Sequence, residues 1–484
     1  MHDFDYYLEK FGEIGFVEES VHSLVYASGI PKVRPSEVVI FENGDIGQVL
    51  GMDQEYVEIL LFSHSKVRVG SKIARTNQHV QVSVGENLLG HSIDPLGRFI
   101  EKDGNGSGTE MRYLDVDPPK LMDRRQIEKP LETGVSIVDT VVPLAKGQRQ
   151  LVIGDRKTGK TEFILQTITT QALAGTVCIY AVIGQKFIDI KKLSASFAAK
   201  NVLGSTVIIA TSSSDPSGLI FLTPYTAMTL AEYFRDKGMD VLLILDDLTT
   251  HARTYREISL LARRFPGRSS YPGDIFYIHA RLVERAGNFK KGSITCLPLA
   301  ESILGDLSGY IQTNLMAMTD GHIFFDIDLY NQGKRPAVNP FLSVTRVGHQ
   351  TQIPLLRDTS RELSSFLVIY ERMKQFLHFG AEVGETAKNV LALGSRIDAF
   401  FNQGTEKTVP VAVNLLVLAG LWAGVWNETK IEDMHLQMER VSLGYSTDPT
   451  FKKQVDDFLA SLNAFSEVVS VLRRNSELIT SKIG

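Results

Sequence analysis

The chain has 484 residues, 43% of them hydrophobic and 22% charged, with 51 Lys plus Arg against 56 Asp plus Glu for a formal net charge of −5. That length predicts roughly three domains of about 150 residues each, and the composition excludes disordered and collagen-like chains. The slightly acidic balance and the scatter of the basic doublets (Arg124-Arg125, Lys191-Lys192, Arg263-Arg264, Lys290-Lys291) give no electrostatic case for a nucleic-acid partner.

The N-terminal stretch from Met1 to Gly15 is acidic and aromatic, unlike a secretory signal or a transit peptide. Up to about Leu89 the chain is rich in strand signals. Val38–Phe41, Ile46–Leu50 and Tyr56–Phe62 are short β-rich runs, separated by the hairpin signal Asn43-Gly44 and the polar break Met52–Glu55. Short strands at this spacing predict a small barrel or a sandwich. Asp103–Thr109 (DGNGSGT) reads as a flexible surface loop, and Asp117-Pro118-Pro119 as a second punctuation mark.

From Gln150 the pattern alternates between strand and helix. Leu151–Ile153, Val177–Ile183, Thr206–Thr211 and Val241–Leu245 are nearly continuous apolar runs, as expected for strands buried on both faces of a parallel sheet. Between them Thr161–Ala174, Ile188–Lys200 and Tyr225–Lys237 read as helices, which makes a doubly wound α/β core. The two cysteines, Cys178 and Cys296, sit inside apolar runs and read as buried hydrophobes of a reducing compartment. After about Gln350 helical patterns run to the C-terminus. Val409–Trp426 carries no charge, but Pro410, Asn414, Gly420 and Gly424 interrupt it and no aromatic belt flanks it, so a buried core helix is expected and the chain is expected to be soluble.

Gly154-Asp155-Arg156-Lys157-Thr158-Gly159-Lys160-Thr161 satisfies the Walker A pattern in full, after a strand and before a helix. Its glycines let backbone N–H groups curl around phosphate oxygens while the helix aims its positive end at them. Lys160 is expected to reach the β- and γ-phosphates, and the Thr161 hydroxyl to sit on Mg²⁺. Val241–Asp247 is a buried strand ending in two acids. The first, Asp246, is assigned to the metal; capping of the next helix by Asp246 or Asp247 is the competing reading.

The words around these motifs resemble the F-type ATP synthase α subunit. They are PLAKGQR (Pro143–Arg149) entering GDRKTGKT, AVIGQK (Ala181–Lys186), AEYFRDKG (Ala231–Gly238), PGDIFYIHARLVERA (Pro272–Ala286), TDGHIFF (Thr319–Phe325) and RPAVNPFLSVTRVG (Arg335–Gly348). The resemblance implies a multidomain chain: a short segment plus β-barrel over residues 1–88, a RecA-like α/β P-loop nucleotide-binding domain over 89–350, and a C-terminal α-helical bundle over 351–484. It also implies binding of ATP or ADP with Mg²⁺ beside a catalytic β subunit in a 3:3 ring. A central rotary shaft, a peripheral stalk and a membrane ion-translocating sector complete the implied assembly, peripheral on the cytoplasmic face of an energy-transducing membrane.

Residue by residue, the resemblance places Gln185 where the catalytic β chain is expected to carry the Glu that positions the attacking water. A neutral amide cannot act as a carboxylate base, so a non-catalytic site is expected. It implies that Arg346 crosses to the β site and meets the γ-phosphate there, and that Tyr330, Arg335 and Gln403 lie at the adenine end. Three departures stand out. Lys157 replaces a usual Gln, Thr405 replaces the second of two adenine-side glutamines, and Thr345 replaces Ser. The usual N-terminal helix that meets the stalk is hard to recognise. Two alternatives share parts of this pattern: an F-like ATPase turned to secretion or motility, and a RecA-like hexameric RNA helicase. The helicase needs an electropositive groove with stacking aromatics, which the near-neutral N-terminal region does not show.

Overall fold

The computed structural model describes residues 2–64, 67–100, 108–378 and 384–483; most of the surface loop expected at Asp103–Thr109 lies outside them. Helix α1 (Phe4–Phe11) opens the chain, capped by Asp3 and closed by Gly12. Six strands follow, β1 (Ile14–Val21), β2 (Leu24–Ser28), β3 (Glu37–Phe41), β4 (Ile46–Met52), β5 (Val57–Leu61) and β6 (Lys72–His79). They close an antiparallel barrel in the order β1-β2-β5-β4-β3-β6, which resolves the sequence choice in favour of a barrel. Its interior is apolar and small-to-medium in size, including Val17, Val25, Val39, Phe41, Ile59 and Ile73. The apolar face of α1, with Tyr7, Phe4, Leu8 and Phe11, is spent on the outside of the barrel against Ile40 and Ala74. The strands β7 (Gln81–Val84), β8 (Ser92–Ile93) and β9 (Glu110–Tyr113) come next.

The central region runs β10 (Pro130–Leu131), α2 (Ser136–Val141), β11 (Leu144–Ala145), β12 (Leu151–Gly154), α3 (Lys160–Leu173), β13 (Val177–Gln185), α4 (Phe187–Ala199), β14 (Thr206–Ser212), α5 (Ser217–Asp236), β15 (Asp240–Asp246), α6 (Leu248–Leu261), α7 (Ile275–Val283), β16 (Gly287–Asn288), β17 (Ser293–Glu301), α8 (Tyr310–Met318), β18 (Gly321–Phe325), α9 (Ile327–Asn331) and β19 (Val344–Thr345). Seven helices complete the described chain: α10 (Pro354–His378), α11 (Glu385–Phe401), α12 (Val411–Ala423), α13 (Ile431–Thr447), α14 (Pro449–Ala460), α15 (Phe465–Arg474) and α16 (Glu477–Ile483). The architecture is thus a barrel, a central α/β region and a C-terminal helical region.

The chain divides into two compact units. The first gathers Met1–Gln126, Ala172–Ser302 and Asp306–Thr319; the second gathers Ile127–Gln171, Ile303–Gly305 and Asp320–Gly484. Within the first, β17, β15, β13, β14 and β8 are parallel neighbours in that order. β13 and β15 keep one register from Val177↔Val241 to Val182↔Asp246, so the C-terminal ends of these buried strands emerge together. Cys178 on β13 and Cys296 on β17 are buried cysteines, outside any disulfide, with no solvent exposure. Helix α5 begins at Ser217, two turns before the sequence-predicted Tyr225, and passes through Pro224. A proline normally reads as a boundary because it removes one helix N–H. Here burial of the surrounding turns overrides that preference, and the Thr223 hydroxyl adds a bond to the Leu219 carbonyl.

In the second unit β12 pairs in parallel with β18, and β19 pairs antiparallel with β18. Apart from Asn414, helix α12 is apolar, and it is buried from Val413 to Leu421, as the reading of Val409–Trp426 required. Among the described residues no helix is long and apolar enough to cross a membrane.

Candidate functional site

The second unit carries the phosphate loop. Strand β12 is fully buried and ends at Gly154, where a Cβ would lie 2.4 Å from the Phe325 carbonyl oxygen; only glycine passes β18 at that distance. Gly159 holds φ +96, and Lys157 adopts φ +63 with its side chain exposed. The Thr158 hydroxyl donates to the Asp155 carbonyl at 2.8 Å, and the Asp155 carboxylate accepts the Gly305 N–H at 3.1 and 3.2 Å. Lys160 lays its ammonium across the loop, donating to the carbonyls of Gly154 and Asp155 at 2.6 Å each. A curled backbone at the start of α3 with an ammonium over it is a donor set that fits phosphate.

The sequence-predicted base-end residues lie in the same unit. Tyr330 sits on α9, whose N-cap Asp326 accepts the Asp328 N–H. The Arg335 guanidinium stacks 3.6 Å from the Tyr330 ring centroid and donates to the carbonyls of Tyr330 (2.9 Å) and Lys334 (2.7 Å). The Arg335 backbone N–H donates to Asn402 Oδ1 at 2.8 Å, and its carbonyl accepts the Gln403 N–H at 2.6 Å. Gln403 is buried, and its amide bonds only backbone: Oε1 accepts Ser136 N–H at 3.0 Å, and Nε2 donates to the carbonyls of Gly134 (2.8 Å) and Lys407 (2.5 Å).

Two supporting residues escaped the sequence reading. Gln166, on the helix that leaves the phosphate loop, donates Nε2 to the carbonyls of Gly404 and Lys407 and ties the 402–407 loop to α3. Asp139 is wholly buried and accepts from Thr133 N–H, the Thr133 hydroxyl and Gly134 N–H, shaping the turn that receives Gln403; burial pushes its carboxyl up to about 7 against those three donors. The partners of Gln166 are far away in the chain, and those of Asp139 are two main-chain groups and one hydroxyl, a set with no sequence pattern.

Asp246 and Gln185 belong to the first unit. The two acids at the end of β15 have different tasks. Asp247 caps α6, accepting Thr250 N–H at 2.6 Å and the Thr250 hydroxyl at 3.2 Å, whereas Asp246 accepts the Tyr180 hydroxyl at 2.6 Å. Burial, and then the neighbouring charges of Asp246 and Glu301, push Asp247 up to about 7. Gln185, at the end of β13, donates Nε2 to the Asp246 carbonyl at 3.4 Å, a bond that a carboxylate at this position could not make. Among the described residues no cluster of three or more His, Cys, Asp or Glu side chains could hold a metal.

Arg346, in the second unit, follows the edge strand β19 and is exposed. Its backbone N–H donates to the Asp320 carbonyl at 3.0 Å, while the Asp320 carboxylate is clamped by Arg149 through Nε (3.1 Å) and Nη2 (2.9 Å). Thr345, the departure from Ser, uses its hydroxyl on the Pro143 carbonyl and accepts from Gln148 Nε2 and Gly348 N–H. The backbone is thus held firmly, and among the described residues the Arg346 guanidinium has no hydrogen-bond or carboxylate partner.

Residues 134–345 match the family model for the ATP synthase alpha/beta family, nucleotide-binding domain, and residues 352–465 match that for the ATP synthase alpha/beta chain, C terminal domain. The chain is 37% identical over 434 residues to ATP synthase subunit alpha 2 of Syntrophus aciditrophicus, covering 89% of this chain and 84% of that one. It is also 37% identical over 431 residues to ATP synthase subunit alpha of Neorickettsia sennetsu, covering 86% and 84%.

Proposed function

The chain belongs to the ATP synthase alpha/beta family, and on that premise we propose that it is a regulatory α-type subunit that binds Mg-ATP without turning it over. The observation that carries this reading is Gln185, a neutral amide donating to the Asp246 carbonyl, in a chain whose phosphate loop keeps Lys160 over its arch. Such a chain can hold a nucleoside triphosphate but has no carboxylate at that position to activate water. Gly154 to Thr161 cradle the phosphates, and Tyr330, Arg335 and Gln403 form the base end. The magnesium roles of Thr161 and Asp246 rest on the family pattern.

The assembly proposed is a 3:3 ring with a catalytic β subunit, around a rotary shaft, braced by a peripheral stalk and docked on a membrane sector that moves protons or sodium ions. In this ring Arg346 extends from its clamped backbone into the neighbouring β site, where a fixed cation offsets charge developing on the transferred phosphoryl group. Synthesis and hydrolysis of ATP are then properties of the complex, to which this chain contributes one guanidinium and a nucleotide-filled wall.

The test is steady-state ATP hydrolysis by the purified chain alongside equilibrium binding of Mg-ATP. Binding without turnover is expected. Turnover at an ordinary enzymatic rate that Lys160→Ala abolishes would falsify the non-catalytic assignment.

A further inference from the structure

We propose that Arg149, with the buried glutamines on either side of it, is the positioning device for Arg346, a role that rests on the reading of Arg346 as the cation reaching the neighbouring site. An exposed arginine has several rotatable side-chain bonds, so its own chain can fix only where the Cα stands and which way the side chain leaves. A group misplaced by about 1 Å can cost about 10²-fold in rate. Whatever holds that stretch of backbone therefore decides how much of the cation's effect reaches the phosphoryl group.

The run 148–150 grips the run 344–346, and all of these residues lie in the second unit. Gln150 Nε2 donates to the Val344 carbonyl at 3.0 Å, and Gln148 Nε2 donates to the Thr345 hydroxyl at 3.1 Å. Arg149 holds Arg346 through Asp320. The Asp320 carboxylate accepts the Arg149 N–H at 2.9 Å as well as the two guanidinium bonds, and the Asp320 N–H donates back to the Arg149 carbonyl at 2.7 Å. The Asp320 carbonyl then accepts the Arg346 N–H. Each side chain of the Arg149–Asp320 pair is only 19% exposed, which shields it from the solvent screening that makes surface ion pairs weak.

The grip admits one arrangement. The Ala145 N–H can only donate and the Val344 carbonyl can only accept. Gln148 must therefore turn its oxygen to Ala145 (3.0 Å) and its nitrogen to the Gln150 oxygen (2.8 Å), which leaves the Gln150 nitrogen for Val344. Both glutamines have no solvent exposure, so breaking a link strands a buried polar group. Close backbone approach completes the fit: a Cβ on Gly321 would lie 2.2 Å from the Val344 carbonyl oxygen and 2.8 Å from Gln150 Oε1. Arg149 touches neither phosphate-loop residue nor substrate in this scheme; it acts through Asp320 and the backbone of Arg346.

The experiment is a double-mutant cycle in a complex reconstituted with a β-type partner: parent, Arg149→Met, Arg346→Ala and both together, with native mass spectrometry to match assembly. Arg149→Met keeps an aliphatic stem and removes the guanidinium. It is expected to lower kcat for multisite hydrolysis by about 10–100-fold with KM for Mg-ATP moved by less than about 2-fold, and to have no further effect once Arg346 is replaced. A readout apart from activity comes from His322 in the isolated full chain. It stands opposite Val344 in the β18–β19 pairing, and its pKa is lowered by burial and, against the opposing bond to the Leu342 carbonyl, by the charge of Arg346. Its NMR titration in Arg149→Met should move toward that of Arg346→Ala. Equal losses from Arg149→Met in both backgrounds, parental hydrolysis by assembled Arg149→Met rings, or an unmoved His322 titration would overturn the inference. Should Arg149→Met not assemble, Gln150→Met, which cuts the tie to Val344 and leaves the ion pair in place, is judged by the same cycle and the same outcomes. Parental hydrolysis by Arg346→Ala overturns the reading of Arg346 itself, and this inference with it.

Discussion

Replacing Arg346 should separate the stability of this chain from the activity of its complex. The side chain is exposed and its guanidinium has no partner among the described residues, so Arg346→Ala should move the melting of the chain by no more than about 0.5 kcal/mol. The backbone contacts that place it, Asp320 with Arg149 and the Thr345 hydroxyl, are untouched by the substitution. In the proposed ring the same change would remove the cation assigned to face the phosphoryl group. Arginines in that role are worth roughly 10³–10⁵ in rate, about 4–7 kcal/mol. Arg346→Lys should recover little, because a compact ammonium lacks the planar fork. The assay is multisite ATP hydrolysis by a complex reconstituted with a β-type partner, with native mass spectrometry to establish equal assembly and nucleotide occupancy. An internal marker is available in His322. Burial depresses its pKa first, with a bond to the Leu342 carbonyl opposing, and the charge of Arg346 depresses it further. Loss of that charge should shift the His322 resonance titration upward. Arg335→Lys serves as the contrast, disturbing nucleotide held by this chain while sparing the chemical step. Parental hydrolysis by fully assembled Arg346→Ala rings would refute the reasoning.

Three other outcomes are expected. Lys157 sits at φ +63 in the phosphate loop, and Lys157→Gln keeps that left-handed conformation while deleting the charge; the parent should release a fluorescent ATP analogue more slowly than the variant, and equal release rates at matched salt would dismiss a role for the charge. The buried pair His251–His279 (Nδ1 to Nε2, 3.0 Å) is depressed by desolvation, His251 to about 4; protons are then taken up on unfolding below the ordinary value near 6.5, so stability is full above that pH and falls as pH drops toward 4, by up to about 3 kcal/mol per pH unit where both rings gain protons only on unfolding. That slope should shrink in His279→Phe, and an unchanged slope in urea melts from pH 7 to 5 would refute the assignment. Asn414 lies fully buried in α12 with neither amide atom partnered among the described residues; Asn414→Leu should raise the thermal midpoint by removing a desolvation cost of about 1–3 kcal/mol, and a lowered midpoint would mean that the amide holds an internal water.

How much of this was legible depended on whether the deciding contacts are local. Val177–Ile183 and Val241–Leu245 announce buried parallel strands because both faces must be apolar, and GDRKTGKT carries its geometry in its glycines. Strands β1 and β6 were not picked out individually, since Glu18, Glu19 and Ser20 in one and Arg75, Thr76 and Asn77 in the other break the apolar alternation. Closure of the barrel rescues them through pairing across the chain, with the Arg75 guanidinium satisfied by the Glu37 carboxylate. The start of α5 was lost to Pro224. In the site, residue types were readable but their commitments were not. Gln403 looks like a base-side amide in sequence, and only folding reveals that its partners are main-chain groups 267 and 269 residues upstream and one four residues on. Likewise the division between Asp246 and Asp247 turns on one hydroxyl from Tyr180 and one cap to Thr250.

The two cysteines give the chain a built-in clock. Cys178 and Cys296 lie on strands either side of β15, at positions that pair with Leu242 and Leu243, and neither sulfur is reachable by solvent. A thiol reagent can therefore reach them only when that part of the sheet opens. The ratio of its reaction rate to the rate for an unfolded thiol reports the free energy of that opening, as amide exchange does for a backbone group. Because the folded background is silent, a single cysteine introduced elsewhere would report on its own surroundings. A dye placed beside Arg346 or on the 402–407 loop could thus follow ring assembly while the native thiols record, in the same sample, whether the central sheet has stayed shut.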